Sequence, residues 1–361
     1  MVEESAGTIV SGETSPPQTR IEVDEARREE WESFVEGHPQ ATSCHLWGWR
    51  DVIERTFGHR ASYLIARRSR ESGGEICGAL PLVRMRSAIF GRFVSSMPYL
   101  NYGGFLASEA AVEEALLGRA VEIAAAERAR SIELRHIHLR SCPAEVKQHK
   151  VTMLVDLAED DDAQWKTFDA KLRNQIRKPT REGLTADPEG RLEDFYAVFS
   201  RNMRDLGTPV YPRSFFENIR KAFPEKSRII TVQKGGRVMA AGFLIGFREK
   251  LEIPWASSIR EYNPLCPNNL LYWESLRFGI RSGYRVFDMG RSTPGEGTYR
   301  FKEQWGAKPT PLHWQYWLRP GQPVPDRSPK NDTFGLAIRI WRKLPLSVAG
   351  FLGPRIARGI P

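Results

Sequence analysis

Arg228-Ile-Ile-Thr-Val-Gln-Lys-Gly-Gly-Arg-Val-Met-Ala-Ala-Gly-Phe-Leu-Ile-Gly-Phe247 is the stretch that decides the fold. Two runs rich in β-branched and aromatic residues meet at Gly235 and Gly236, the residues a tight antiparallel turn demands, so the stretch predicts a hairpin. The first half of the chain carries a counterpart. There Tyr63-Leu-Ile-Ala-Arg67 and Glu75-Ile-Cys-Gly-Ala-Leu-Pro-Leu-Val-Arg84 flank a second glycine pair, Gly73 and Gly74.

The surroundings of the two hairpins also match. Two helical patterns precede each one: Ile21–Val35 and Ser43–Phe57 in the first half, Leu192–Leu206 and Arg213–Phe223 in the second. A strand, a helix and a strand follow each one. These are Arg92–Ser96, Ala110–Arg128 and Ser131–His138 in the first copy, and Leu251–Ser257, Asn268–Ser282 and Arg285–Met289 in the second, where Pro267 opens the helix. Ile76 then corresponds to Val238 and Ile132 to Val286, an offset of about 160 residues that predicts an internal duplication. Hairpins combined with a helix that links one strand to a later one give an α+β (mixed α/β) class with mixed sheets.

At 361 residues and 41% hydrophobic content the chain can build two cores. The organisation read from it is a polar lead-in over 1–20, a first domain over 21–155, a second and catalytic domain over 156–318, a Pro-rich linker over 319–332 and a basic amphipathic segment over 333–361. No basic n-region precedes an apolar h-region and no apolar run is long enough to span a bilayer, so the expected location is cytoplasmic. From Arg327 to the end there are seven Lys or Arg against Asp332 alone. Together with Trp341, that composition suits peripheral contact with an anionic membrane at its inner face, or docking on the protein's own core.

The formal charge of +9 favours polyanionic partners: nucleic acid, nucleotide-linked substrates, CoA or an anionic membrane. Four scattered cysteines lack C-x-x-C spacing and read as reduced thiols. His136 and His138 have no third ligand beside them, so no metal is expected. Nucleophile triads, a dinucleotide fingerprint and a P-loop are all missing. Between the halves, Trp165–Lys178 reads as a helix ended by Pro179, with Lys171, Arg173, Arg177 and Lys178 either on a solvated face or bordering an anion-binding cleft.

Chemistry concentrates in Val286-Phe-Asp-Met-Gly-Arg-Ser-Thr-Pro-Gly-Glu-Gly-Thr-Tyr-Arg-Phe-Lys-Glu-Gln-Trp-Gly306. A carboxylate, Asp288, stands in an apolar strand and must be paired or face a cleft; Arg291 is the nearest partner in sequence. Read as an extended segment, Tyr299 and Phe301 share one side and Lys302 takes the other. The first copy has no counterpart of Tyr299–Trp305, so the fold alone does not demand that segment.

This final motif, the duplicated element order, Asn268-Asn-Leu-Leu-Tyr-Trp-Glu-Ser-Leu276, Leu206-Gly-Thr-Pro-Val-Tyr-Pro212 and Tyr102-Gly-Gly104 together resemble the FemAB family and its acetyltransferase relatives. The likeness is greatest to the FemAB-type proteins associated with exosortase/PEP-CTERM systems of exopolysaccharide-producing bacteria. It spans roughly Trp31 to Trp317. The resemblance implies two tandem GNAT-like domains and transfer of an acyl or aminoacyl group to an amine, forming an amide. It also implies acyl-CoA or aminoacyl-tRNA as donor, no tightly bound cofactor, and an amine-bearing envelope or polysaccharide intermediate as acceptor. Two departures stand out: Asn263-Pro-Leu-Cys-Pro-Asn-Asn269 replaces the usual glycine-rich GNAT loop, and no coiled-coil arm is present.

On this reading Lys302 stabilises the developing oxyanion or contacts a donor phosphate, and Asp288 accepts or orients the amine proton, with Arg291 beside it. Phe301, Tyr299, Trp305 and Tyr102 are candidate pocket walls. Arg213 and Asn268, each just after a proline at a helix start, are candidate phosphate contacts. A non-catalytic binding module for RNA or a polysaccharide precursor is the alternative that the same charge allows.

Overall fold

The computed structural model describes residues 20–68, 74–325 and 332–361. The polar lead-in, the Gly73 position of the first hairpin turn and residues 326–331 of the Pro-rich linker lie outside them.

In chain order the first half comprises β1 (Ile21–Glu25), α1 (Arg28–Gly37), α2 (Gly48–Phe57), β2 (Ala61–Arg68), β3 (Ile76–Ser87), β4 (Gly91–Ser95), β5 (Leu106–Ala107), α3 (Ala110–Ala126) and β6 (Ser131–His136). Next come β7 (Glu145–Asp156), α4 (Asp161–Thr167) and α5 (Ala170–Arg181). The second half continues with β8 (Thr185–Asp187), α6 (Leu192–Leu206), α7 (Arg213–Ala222), β9 (Ser227–Lys234), β10 (Arg237–Phe247) and β11 (Lys250–Ser258). It closes with α8 (Pro267–Arg281), β12 (Val286–Ser292), α9 (Gly297–Glu303) and β13 (Lys308–Leu318), followed by α10 (Asp332–Trp341) and α11 (Leu346–Ala357).

Among the described residues the strands form one 13-stranded sheet in the order β1-β2-β3-β4-β6-β13-β7-β12-β11-β10-β9-β8, with β5 beside β3. Read inward from both edges, the two halves present the same series: an antiparallel meander, then a parallel neighbour (β4 with β6, β11 with β12). The closing strands are exchanged. β7 follows β6 in the chain but pairs with β12, β13 follows β12 but pairs with β6, and the two meet at the centre of the sheet. This is the duplicated architecture with a mixed sheet that the paired hairpins predict.

One core is shared by the halves. Trp31, Trp49 and Tyr63 from the first pack in it with Phe195, Phe215, Phe216, Phe243 and Trp255 from the second, and α2 lies against α7. Each such side chain contributes roughly 1.5–3 kcal/mol on burial, so the two copies are held together by the same forces that hold each one. On the opposite face α3 covers the first half, while α5 and α8 cover the second.

Several local expectations are corrected. Ile21–Glu25 is a strand, not the start of a helix: Ile-Glu-Val-Asp-Glu alternates with period two and pairs antiparallel with Leu64–Arg68. In Ser43–Phe57 only Gly48–Phe57 is α-helical, because Thr42 accepts a bond from Cys44 N and folds Ser43–His45 into a separate 3-10 turn. The segment before Pro179 is two helices, broken where Asp169 caps α5 by accepting from Leu172 N at 2.6 Å. Pro179 does not end α5, which runs on to Arg181. Tyr299–Lys302 is helical within α9 rather than extended, so Tyr299 and Phe301 do not form an alternating wall.

Candidate active site

β11 and β12 pair only through Lys250–Glu252 with Val286–Asp288, and then separate as β11 runs on to Ser258 and β12 to Ser292. At the point of divergence Glu252 and Asp288 stand directly opposite each other, both buried. Past Asp288 the pairing of β12 with β7 shifts register, and Gly290 adopts φ +76, a conformation that favours glycine. That turn aims the Gly290 N–H at Asp288 Oδ1, 2.9 Å away.

Asp288 is not paired with Arg291. Besides Gly290 N, its carboxylate accepts from Thr152 Oγ1 (2.7 Å to Oδ1) and Tyr102 Oη (2.5 Å to Oδ2), and the two hydroxyls lie 2.6 Å apart. Tyr102 arrives from the first half, on the loop after β4. The same loop brings Asn101, which donates to Glu252 Oε1 at 2.7 Å, while Ser43 Oγ donates to Oε2 at 3.2 Å. Burial, with the charge of Asp288 alongside, pushes the Glu252 carboxyl up to about 7. Burial and Asp288 also hold the Tyr102 hydroxyl well above its ordinary value, so it stays a proton donor.

The loop is pinned by Gly104, where an added Cβ would lie 1.9 Å from Cδ2 of the buried His136. Gly104→Ala is therefore expected to displace Asn101 and Tyr102 and to cost about 1–3 kcal/mol, measurable as a lowered urea midpoint. His136 itself stacks on Phe105 at 5.2 Å; among the described residues no group of three or more His, Cys, Asp or Glu could hold a metal ion.

Glu252 opens onto two cavities. One, of about 240 Å³, has aromatic walls from Tyr99, Tyr211, Trp255 and Phe199, with Asn101 and Arg291 also lining it. The other, of about 300 Å³, is bordered by Thr42, Ser43, Arg248 and Lys250.

Lys302 projects from α9 toward the end of β12. Its Nζ donates to the carbonyls of Gly290 (2.9 Å) and Arg291 (3.1 Å), and burial pushes its pKa down to about 8 against the opposing influence of Asp288. Arg291 is half-buried, its guanidinium over the Trp314 ring at 5.0 Å. Burial, reinforced by the charge of Arg135, lowers its pKa to about 10. The structure thus gathers Asp288, Tyr102, Lys302 and Arg291 in one region.

The other expected residues stand apart. Trp305 is core, packed against Phe168 at 5.4 Å, and Phe301 makes an edge contact with Tyr272 at 5.2 Å. Tyr299 is a half-buried flank of the same cluster. Arg213 is engaged on the surface by Glu193 and Glu217. Asn268 sits in the first turn of α8, beside Asn269, which reaches Gln175 of α5 at 3.4 Å.

Sequence reasoning did not single out Glu252, Asn101, Thr152 or Ser43. A signal was present for Glu252: a lone acid in the apolar strand Leu251-Glu-Ile253, in the copy that also holds Asp288.

Residues 167–303, which include α8, β12, α9 and both carboxylates, match the family described as "Acetyltransferase (GNAT) domain". No curated protein matches the chain. Among solved structures, FemX is similar at 16% identity and a TM-score of 0.62, over 81% of this chain and 96% of that one. L-PGS from Bacillus licheniformis is similar at 15% identity and a TM-score of 0.52, over 89% and 99%. The C-terminal domain of a putative lysylphosphatidylglycerol synthetase from Agrobacterium fabrum is similar at 15% identity and a TM-score of 0.50, over 80% and 90%. With the GNAT match lying across the diverging strands and their carboxylates, the chain is an enzyme of the acyltransferase kind, built on a mixed α/β, GNAT-like fold.

Proposed function

We propose that the chain joins an acyl or aminoacyl group to an amine, with Glu252 as the group that takes the amine proton. The observation that carries this reading is the position of Glu252: beside Asp288 where β11 and β12 part, hydrogen-bonded by Asn101 and Ser43, and open to the aromatic cavity. An ammonium must lose a proton before it can attack a carbonyl, and a carboxylate whose pKa is raised toward the working pH is a better base. The neutral amine then attacks the donor carbonyl carbon, the C–N bond forms, the C–S or C–O bond to the donor breaks, and the proton that the nitrogen sheds goes to the departing thiolate or alkoxide. Two of the three Lys302 N–H groups are taken by Gly290 O and Arg291 O, leaving one for the developing oxyanion. Asp288 acts as a positioning residue: it holds Tyr102 and Thr152 in place and raises the basicity of Glu252.

The donor in this proposal is acyl-CoA, whose diphosphate suits the first turn of α8 and the adjoining face of α5. On that face Lys171 and Lys178 flank Gln175 at helical spacing, with no ion pair to a carboxylate among the described residues. Aminoacyl-tRNA is the second reading, favoured by the structural likeness to FemX and by the missing glycine-rich loop. The acceptor is an amine-bearing envelope or exopolysaccharide intermediate; the exosortase/PEP-CTERM link rests on the sequence resemblance alone. Thermal-shift titration with acetyl-CoA and with charged tRNA separates the donors, since a ligand of the folded state raises Tm by mass action.

Peripheral contact with an anionic membrane belongs to the same proposal. Among the described residues no helix is long and apolar enough to cross a bilayer. α11 rests on the protein through Ala349, Gly353 and Ala357, while Leu346, Val348, Phe351 and Leu352 face outward with Arg355. Flotation with phosphatidylglycerol vesicles is expected to carry the protein, and phosphatidylcholine vesicles are expected not to. Phe351→Asp should cut the bound fraction by about tenfold; equal recovery with both lipids would remove this part of the reading.

A further inference from the structure

We propose that the aromatic cavity is the acceptor subsite for an amine that also carries an oxyanion, carboxylate or phosphate, and that Arg291 binds that anion. This rests on the transferase reading and names the class of its acceptor.

The state of Arg291 carries the argument. Two other arginines are tied down: Arg135 pairs with Glu133 and donates to the Leu100 carbonyl at 2.6 Å, and Arg140 binds Glu113 and the carbonyls of Phe105 and Ala107. The Arg291 guanidinium has no hydrogen bond or ion pair among the described residues; the Trp314 ring lies against it at 5.0 Å. A guanidinium presents five N–H donors in a planar fork that matches the two oxygens of a carboxylate or phosphate. The half-buried guanidinium lines the cavity, which is where an anion has room to meet it. Nearby, Arg135 already occupies Glu133, and both guanidinium groups approach the Trp314 ring, so positive charge is in excess on this wall.

The remaining walls complete the description of the ligand. Glu252 and Asn101 line the same cavity and supply the end that meets an ammonium. Tyr99, Tyr211 and Trp255 make the wall aromatic, which suits a sugar ring or a short chain. The volume of about 240 Å³ falls below the usual ~300–1,000 Å³ of pockets for drug-sized ligands, so one monomer unit fits and a longer chain must emerge at the mouth. Ala357 and Ile360 border that mouth, and the Arg358 carbonyl accepts from Tyr99 Oη at 2.7 Å and lies 2.8 Å from His59 Nε2. The end of α11 and the residues that follow it therefore form one wall of the cavity.

Calorimetric titration of the full chain with glucosamine, glucosamine 6-phosphate and 2-amino-2-deoxyglucuronate tests the subsite. The three share a ring and an amine and differ in the anion, so the two anionic arms also distinguish phosphate from carboxylate. At least one anionic sugar is expected to bind about tenfold or more tightly than glucosamine. Arg291→Gln should erase that advantage and leave glucosamine binding unchanged, Arg291→Lys should restore part of it, and Arg213→Gln, on the surface, should leave it intact. Equal affinity for all three, an advantage that survives Arg291→Gln, or no binding of any of them at millimolar concentration would overturn the proposal. Amide formation on neutral amines alone, equally by wild type and Arg291→Gln, would overturn it too while leaving the transferase reading in place.

Discussion

Glu252→Gln is expected to slow amide formation by about 10²–10⁴-fold with the fold retained. Glutamine keeps the shape and can still meet Asn101 and Ser43, but it cannot accept the amine proton. The pH profile separates this from a structural effect. Glu252 has a raised pKa, near 7, so its basic form is depleted below that value and the wild-type rate should climb as pH rises through it. Lys302, lowered to about 8, loses its charge above that pH, so the rate should fall again on the alkaline side. The resulting profile is a bell, and Glu252→Gln should remove its acid limb. An unchanged acid limb in that variant would assign the base elsewhere.

Lys302→Met carries the second large effect, and it falls on stability as well as rate. The sequence presents Lys302 as a lysine among aromatics, from which Ala substitution would be expected to spare the melting curve. Its Nζ instead satisfies the carbonyls of Gly290 and Arg291 at the bulge that orients Asp288. Leaving the buried Gly290 carbonyl without this donor costs about 1–3 kcal/mol, and the part-buried Arg291 carbonyl adds less. Methionine fills the same channel without the charge, so the loss should appear as a lower denaturant midpoint at unchanged slope. Transfer should fall by a further 10²–10³-fold or so if the third N–H meets the oxyanion. A variant that is destabilised yet fully active would reduce Lys302 to a structural cap.

Much of the architecture was legible because it is written in local patterns. Gly235-Gly236 between β-rich runs marks a hairpin wherever it occurs, and its first-half counterpart exposes the duplication. The exchange of β7 and β13 was not legible. Lys308-Pro-Thr-Pro-Leu312 carries two prolines that weaken any strand reading, and Glu145–Lys150 is too polar to suggest the centre of a sheet. Both strands exist because each finds a partner about 150 residues away, a fact no local window contains.

The site divides in the same way. Asp288 was visible as a charge in an apolar strand, and Tyr102 as part of a conspicuous Tyr-Gly-Gly sequence. That these two share a hydrogen bond depends on the loop after β4 reaching the second copy's strand. Glu252 acquires meaning only when β11 is laid parallel to β12, which puts it opposite Asp288. For α9, the alternation of Tyr299 and Phe301 suggested an extended segment, but Phe301 and Trp305 lie one helical turn apart and pack in the same core. That turn swings Lys302 toward β12.

The central claim, that the chain forms amides at the junction of β11 and β12, is tested most directly by mass spectrometry of a complete reaction. Purified protein is incubated with acetyl-CoA or aminoacyl-tRNA and an amine such as 2-amino-2-deoxyglucuronate, beside Glu252→Gln. The account predicts an acceptor whose mass rises by that of the transferred acyl or aminoacyl group, formed by wild type and nearly absent with the variant. Equal yields from both proteins, or no amide from folded wild type with either donor, would contradict it.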